Sequence, residues 1–223
     1  MSAEKRITKR QMKGDRLVST TFKATEYIQK NQTPFVIGTV AILAVFALVV
    51  IMRWNTNRKT SEASGILTRA EMSAAVGELN LYFSDLQLLS DNYGGTSAGK
   101  IATLRLANNA FDSEDYKTAR VFFERIIERY SDDKTILASA CAGLAAGLEM
   151  QGDFKQAGEY YQKAADASEG EIWASNYLYK AGINYASAGE KEAARTAFKI
   201  IEEKYQNTAE YTLARRALAE ISY

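Results

Sequence analysis

Hydrophobic and polar positions divide the chain into two parts with different patterns. Residues 35–52 form an uncharged run of 18 residues in which only Gly38 and Thr39 interrupt the apolar side chains. From residue 61 onward, apolar positions instead recur about every 3.6 residues, the period of helices that bury one face. The pattern therefore predicts one helix that is apolar on all sides, followed by several amphipathic helices joined by short turns.

The uncharged run is long enough to be a membrane helix. In α-helical geometry it spans about 27 Å, close to the hydrocarbon thickness of a bilayer. A cleavable export signal has a shorter apolar segment and a cleavage site after it, whereas here Arg53 and Trp54 follow the run. Pro34 suits a helix start, and an arginine followed by a tryptophan suits the opposite membrane boundary. The sequence therefore predicts an uncleaved transmembrane anchor at residues 35–54.

Charge is distributed unevenly on the two sides of this anchor. Residues 1–34 carry eight basic and three acidic side chains, whereas residues 55–223 carry 19 basic and 24 acidic side chains, a net charge of −5. Because cytoplasmic flanks of membrane helices are rich in Lys and Arg, we expect a basic cytoplasmic head at 1–34 and a translocated domain at 55–223. In a bacterium, that means an inner-membrane anchor and a periplasmic domain.

The two soluble parts differ in the partners that their charge suggests. The acidic domain is a poor partner for nucleic acid, which requires a basic face. Residues 15–30 of the head fit a short helix lying on the lipid surface, a contact for a membrane partner, or a flexible basic tail that only sets topology. The single transmembrane helix is the predicted lipid contact that these alternatives share.

The amino-acid composition argues against several kinds of catalytic and metal-binding site. The chain has no histidine and one cysteine, Cys141, so zinc sites, haem sites and His-dependent triads lack their usual residues. We therefore expect no enzyme activity, no metal, no cofactor and no small-molecule substrate, with Cys141 as a buried thiol. The acidic clusters at 112–115 and 132–133 lack the spacing of a calcium loop, so we expect them to cap helices.

Three segments of the C-terminal part share one pattern. Residues 112–130, 150–167 and 186–205 each open with a turn and continue as an amphipathic helix. An alanine, an aromatic residue four positions later and a small or aliphatic residue three positions further recur at Ala119, Phe123 and Ile126, at Ala157, Tyr161 and Ala164, and at Ala194, Phe198 and Ile201. The alanines lie 38 and 37 residues apart. Since alanine permits close helix approach and the ring fills the space toward the next repeat, a stack of helix hairpins is predicted.

Ahead of each turn lies the first helix of a hairpin, with a close-contact pair at Leu106–Ala107, Leu144–Ala145 and Ala181–Gly182. These residues resemble the tetratricopeptide repeat, most clearly over 98–205. The chain lacks the tryptophan and closing proline often found in that repeat, and its period exceeds the usual value of about 34. Residues 79–93 resemble a preceding hairpin helix, and 213–222 resemble a closing helix. The predicted fold class is all-α, a transmembrane helix followed by a tetratricopeptide-like solenoid.

A stack of this kind presents a concave surface that binds segments of other proteins. The first helix of each hairpin lines such a surface, and its groove-facing positions follow from their offset within the repeat. By that offset, the predicted protein-binding groove contains Asn108, Phe111, Glu149, Tyr179 and Ile183.

The order of the parts carries a second resemblance. A basic head, one anchor near residue 35 and exported helical repeats, with AGEKEAARTAFKIIEEKY at 188–205, resemble the YfgM-like family of ancillary SecYEG translocon subunits. The resemblance implies association with Sec translocon components and periplasmic chaperones, client polypeptides that are newly exported, and no catalytic residues. The alternative is a structural scaffold of the cell envelope, of the Tol–Pal or outer-membrane-assembly type, although such proteins typically have a cleaved or lipidated N-terminus.

Overall fold

A computed structural model describes residue 30 and residues 32–221. Every regular element in this described part is an α-helix, which confirms the all-α fold class. The alternatives for residues 15–30 concern positions that lie outside the described residues, apart from Lys30. The chain divides into two compact units between Asn57 and Arg58.

Nine helices follow one another within the described residues. They are α1 Gln32–Ala75, α2 Leu79–Asn92, α3 Ser97–Asp112, α4 Tyr116–Arg129, α5 Lys134–Met150, α6 Phe154–Ala167, α7 Ala174–Ser187, α8 Lys191–Lys204 and α9 Ala209–Ile221. Linkers of three residues alternate with longer ones. The longer linkers have four residues, except for the six residues 168–173 between α6 and α7.

Helix α1 carries the predicted anchor in its first half. In the described part of the chain, it is the one helix long and apolar enough to cross a membrane. Its most apolar stretch of 18 residues has a mean hydropathy of 2.6, and none of that stretch is buried against the rest of the protein. The helix does not end at residue 54 but continues to Ala75. No proline follows Pro34, so nothing of that kind interrupts the backbone hydrogen bonds beyond the apolar run.

From Arg58 onward, the helices form consecutive hairpins. Side chains from the last part of α1 share a core with α2 and α3. Helices α3 and α4, α5 and α6, and α7 and α8 form the next three hairpins, and α9 packs against α8 and α7. We number these hairpins first to fourth along the chain. This order is the predicted solenoid with its closing helix.

The repeat positions form the core of the solenoid. All nine residues of the pattern are buried, with at most 2% of each exposed, namely Ala119, Phe123, Ile126, Ala157, Tyr161, Ala164, Ala194, Phe198 and Ile201. Their burial confirms the packing role predicted for them. At about 25 cal/mol per Å² of apolar surface removed from water, the large rings among them are major contributors to stability.

Two of the aromatic rings lie directly against glycines. A Cβ atom placed on Gly143 would lie 2.2 Å from Cζ of Phe123, and one on Gly182 would lie 2.4 Å from Cε1 of Phe198. Phe123 therefore fills the space between its own hairpin and the next one, as predicted. Phe198 packs within its own hairpin, because Gly182 lies on α7 and Phe198 on α8.

Polar contacts join the first hairpin to the second, and the third hairpin to the fourth, at a nearly constant sequence separation. The pairs are Arg105 with Glu71 at 2.8 Å, Arg125 with Asp91 at 3.1 Å, Lys155 with Glu190 at 2.7 Å and Lys204 with Glu169 at 2.9 Å. Their partners lie 34 or 35 residues apart. The repeat in sequence is thus also a repeat in contacts, although exposed pairs of this kind contribute little individual stability.

Acidic side chains start three of the helices. Asp115, Asp133 and Asp153 accept hydrogen bonds from the backbone N–H groups three residues later, at 3.0, 3.3 and 3.2 Å. This is the geometry of an N-cap, which satisfies a donor that the helix leaves unpaired. Both acidic clusters singled out in the sequence thus contain a helix cap, as predicted.

Candidate protein-binding surface

The five predicted groove residues lie on the first helices of three hairpins. Asn108 and Phe111 are on α3, Glu149 is on α5, and Tyr179 and Ile183 are on α7. Asn108 is exposed, and 38% of Ile183 is exposed. The other three are half-buried, so their contacts within the stack decide how much of each is left for a partner.

Phe111 packs against other side chains near the turn between the two helices of its hairpin. Its ring meets the ring of Tyr116 edge-on, with centroids 5.4 Å apart and an interplanar angle of 65°. It also packs against the core cluster that contains Phe123. Edge-to-face pairs of this kind add stability beyond that of the buried area. Phe111 therefore closes the turn between α3 and α4 and presents only part of its ring.

Glu149 is bound to a residue of the following helix. Its carboxylate accepts a hydrogen bond of 2.9 Å from the hydroxyl of Tyr161. Burial, and then the charge and hydrogen bond of Glu149, raise the pKa of Tyr161, because a buried phenolate beside a carboxylate is unfavourable. The Nζ atom of Lys180 lies 5.3 Å from the centroid of the same ring, within the range of a cation–π contact.

Tyr179 and Ile183 lie one turn apart on α7. The ring of Tyr179 is tilted by 48° against that of Phe198, at a centroid distance of 5.9 Å. Ile183 remains partly exposed, and Lys180 lies between them on the same helix. We call Glu149, Tyr179, Lys180 and Ile183 the first-helix patch. It combines an anion, a cation, an aromatic ring and an aliphatic side chain, a mixture suited to a polypeptide ligand.

Sequence reasoning did not include Lys180 in the site. The lysine is adjacent to Tyr179 in sequence. Its contact with Tyr161 joins two helices, so no local sequence pattern predicts this contact. Asn108 and Phe111 lie on α3, and the described neighbours of Phe111 belong to the second and third hairpins. Tyr161 thus contacts both Glu149 and Lys180 of α7 and connects Glu149 to that helix. Asn108 and Phe111 lie in the preceding hairpin.

A second accessible feature surrounds the longest linker. Ile172 and Trp173 are 62% and 60% exposed, which is unusual for side chains of this size. Beside them lies an open cleft of about 470 Å³ lined by Lys134, Thr135, Ala138, Ser139, Ala167, Ser168, Glu169, Glu171, Trp173 and Tyr177. The sequence signal that would have found it is the tryptophan within a linker of six residues, two longer than the other linkers between hairpins.

Cys141 lies in the core of the stack. The residue is 1% exposed, and burial raises the pKa of its thiol to about 11. A thiol with so high a pKa is almost entirely protonated at neutral pH and is a poor nucleophile. Its buried position confirms the role predicted for it.

Comparison with known families gives one match that covers most of the chain. Residues 25–221 match the family described as "Tetratricopeptide repeat-like domain". The matched range contains both the apolar run and all four hairpins. A comparison with curated proteins gave no significant match.

Proposed function

The chain belongs to the tetratricopeptide repeat-like domain family, and from that premise we propose that it is a membrane-anchored adaptor for newly exported polypeptides. The observation that carries this proposal is the first-helix patch, a mixed and partly exposed surface on a stack of helix hairpins. Hairpin stacks of this kind typically bind segments of other proteins. A catalytic role has no comparable support.

The proposed place of work is the periplasmic side of a bacterial inner membrane. Helix α1 supplies a segment that could cross the bilayer by length and composition. The excess of basic residues before this segment supports a cytoplasmic N-terminus, and the acidic C-terminal domain would then be exported. An anchor that is retained keeps the binding domain at the membrane from which new polypeptides emerge.

The proposed partners are Sec translocon components, periplasmic chaperones and their client polypeptides. Support comes from the order of head, anchor and repeats, which resembles the YfgM-like family. The partly exposed Ile183 offers an apolar contact for an unfolded client, and the adjacent charges of Glu149 and Lys180 suit polar backbone and side-chain groups. This arrangement favours segments that have not yet folded over a single folded partner.

Site-specific photocrosslinking in intact membranes tests the proposal. A photoreactive amino acid replaces Ile183 in the first-helix patch, and a matched variant carries it at Lys199, an exposed position of α8. We expect the Ile183 variant to capture Sec translocon subunits and exported polypeptides, and the Lys199 variant to capture far less of both. Capture of outer-membrane assembly factors without any Sec component would instead support an envelope scaffold.

The topology has its own test. Protease added to spheroplasts should digest the domain from Arg58 onward and leave the segment before residue 35 protected. As a control, the same treatment after permeabilisation of the inner membrane should digest both. Protection of the C-terminal domain in intact spheroplasts would place it in the cytoplasm and contradict the proposed role.

A further inference from the structure

The hairpins end with a recurring tyrosine that is missing in one of them. The residue after the second helix is Tyr93 in the first hairpin, Tyr130 in the second and Tyr205 in the fourth. The equivalent residue of the third hairpin is Ser168. Successive members of this series lie 37, 38 and 37 residues apart, in step with the rest of the repeat.

Each of the three tyrosines reaches back to the start of its own hairpin. Tyr130 is 4% exposed, and Nζ of Lys100, in the first turn of α3, lies 5.6 Å from its ring centroid. A hydrogen bond with the Glu62 carboxylate of α1, assisted by burial, raises the pKa of Tyr93. The hydroxyl of Tyr205 accepts a long hydrogen bond of 3.5 Å from the N–H of Gly170, just before α7. In three hairpins the tyrosine thus contacts an earlier part of its own hairpin, at Glu62 within α1, at Lys100 in the first turn of α3 and at Gly170 in the linker before α7.

Compared with the first two hairpins, the third has small residues at both positions of this contact. The position equivalent to Glu62 and Lys100 is Ala138, 38 residues after Lys100. Ala138 and Ser168 both line the open cleft of about 470 Å³. The cleft thus lies where the repeat pattern would place a tyrosine ring and its partner. We call it the tyrosine slot.

The backbone at Ser168 has nearly the conformation of the tyrosine positions. Its φ and ψ are −106° and 18°, against −125° and 30° at Tyr130 and −122° and 18° at Tyr93. A tyrosine at this position is therefore compatible with the main chain at residue 168, and the small side chain of Ser168 leaves this part of the slot open. The Ser168 hydroxyl donates a hydrogen bond of 2.9 Å to the carbonyl oxygen of Ala164, which fixes the orientation of this side chain at the edge of the slot.

The lining of the slot suits a phenol. Ala138 and Ala167 supply apolar contacts for the ring faces, and Thr135 and Ser139 place hydroxyls within the same cleft. Lys134 adds a cation, as Lys100 does for Tyr130. The exposed indole of Trp173 lies at the edge of the slot, where it can stack on an incoming ring.

From these observations we infer that the tyrosine slot is a subsite for a tyrosine side chain of a bound, extended polypeptide. The occupant replaces the ring that the third hairpin lacks and that the other three hairpins carry at the equivalent position of the chain. The inference rests on the proposed polypeptide-binding function and names the side chain that this function would select. The subsite is separate from the first-helix patch, because none of the residues lining the slot belongs to that patch.

Fluorescence of Trp173 tests the subsite directly. The full-length protein in detergent micelles carries Trp54→Phe, which leaves Trp173 as the sole tryptophan. The probes are N-acetyl-tyrosinamide and N-acetyl-alaninamide, with excitation at wavelengths that tyrosine does not absorb. We expect a saturable change of Trp173 emission with the tyrosine probe and none with the alanine probe. Equal responses to the two probes would contradict the inference.

Variants that refill the slot provide the control. Ser168→Tyr restores the residue of the other hairpins, and we expect it to weaken binding of the tyrosine probe by about tenfold or more. Lys199→Tyr adds the same side chain at an exposed position of α8 that does not line the slot, and should leave binding unchanged. Ala138→Lys recreates the partner of Tyr130 and tests the slot independently if Ser168→Tyr does not fold, as judged by circular dichroism.

Two outcomes would overturn the inference. One is unchanged binding of the tyrosine probe in both filling variants. The other is an oligomer of the parent protein that Ser168→Tyr dissociates, measured by light scattering, which would identify the occupant as another copy of the chain. Failure of the Ile183 crosslinks to reach the Sec translocon would affect only the proposed location, because the fluorescence titration uses purified protein.

Discussion

The second and third hairpins follow the same repeat pattern but are filled differently. The second hairpin is filled at both ends, by Phe111 against Tyr116 and by Tyr130 against the start of α3. The third hairpin has a hydrogen-bonded Tyr161 in its centre and a cleft where Tyr130 has no counterpart. The comparison shows that a repeat can keep its core and still have an open cleft where another repeat has a buried side chain.

The largest effect is expected from emptying the core of the second hairpin. Phe123 is 1% exposed and packs against the third hairpin through Gly143. Phe123→Ala should lower the free energy of unfolding by about 3–5 kcal/mol, since the ring is lost and a cavity remains. Urea denaturation of the full-length protein, followed by circular dichroism, measures the loss. A loss below that of a surface substitution such as Lys199→Ala would refute the packing described.

The interface between the two hairpins can also be overfilled. Gly143→Ala would place a Cβ atom 2.2 Å from the Phe123 ring and should cost about 1–3 kcal/mol, because the ring must move. Gly147 lies one turn further along α5 and has no atom within 4 Å of such a Cβ. Gly147→Ala should therefore stabilise the protein by about 0.5–1 kcal/mol through helix propensity. The same denaturation experiment compares them, and equal effects would contradict the geometry.

Cys141 of the third hairpin occupies the position of Thr103 in the second. Its folded pKa of about 11 exceeds the ordinary value of 9.0, so the folded state binds the thiol proton more tightly. Its contribution to stability is therefore complete below about pH 9 and is lost as the pH rises toward about 11, by about 1 kcal/mol near pH 10. Unfolding free energies of the parent and Cys141→Ala between these values measure it. A pH dependence identical in both proteins would exclude this contribution.

The smallest effects distinguish the two buried tyrosines. Tyr161→Phe removes the hydrogen bond to Glu149 and should cost about 0.5–1 kcal/mol. The hydroxyl of Tyr130 is buried and has no hydrogen-bond partner within the described structure. Tyr130→Phe should therefore be neutral or slightly stabilising, because the folded state no longer desolvates an unpaired hydroxyl. Thermal midpoints of the two variants test the contrast, and a lower midpoint for Tyr130→Phe than for Tyr161→Phe would reverse it.

The repeat itself was predictable from sequence because its signal is local and periodic. The alanine, the aromatic residue and the third apolar residue of each second helix lie within two turns of one another. Their helical spacing requires one face to be buried, and recurrence at steps of 37 and 38 residues requires hairpins to stack. All nine positions are buried in the structure.

The surroundings of the predicted groove residues could not be derived from the sequence in the same way. Offset within a repeat identifies which helix face is turned away from the core, but it does not say which neighbours occupy that space. The ring of Phe111 packs edge-on against Tyr116, and the carboxylate of Glu149 accepts a hydrogen bond from Tyr161. The exposure of Ile183 and the contact of Lys180 with Tyr161 depend on how α5, α6 and α7 meet.

The sequence alone determined the helical class, the apolar segment long enough for a membrane, the hairpin repeat and the caps at Asp115 and Asp133. Each depends on residues that are close together in the chain, so spacing and side-chain type are sufficient. Tertiary structure alone decided the paired charges of Arg69 and the buried Asp85, 2.6 Å apart, the Lys180–Tyr161 contact and the tyrosine slot. These features depend on side chains from different helices that share a space, and only the packed stack specifies that space.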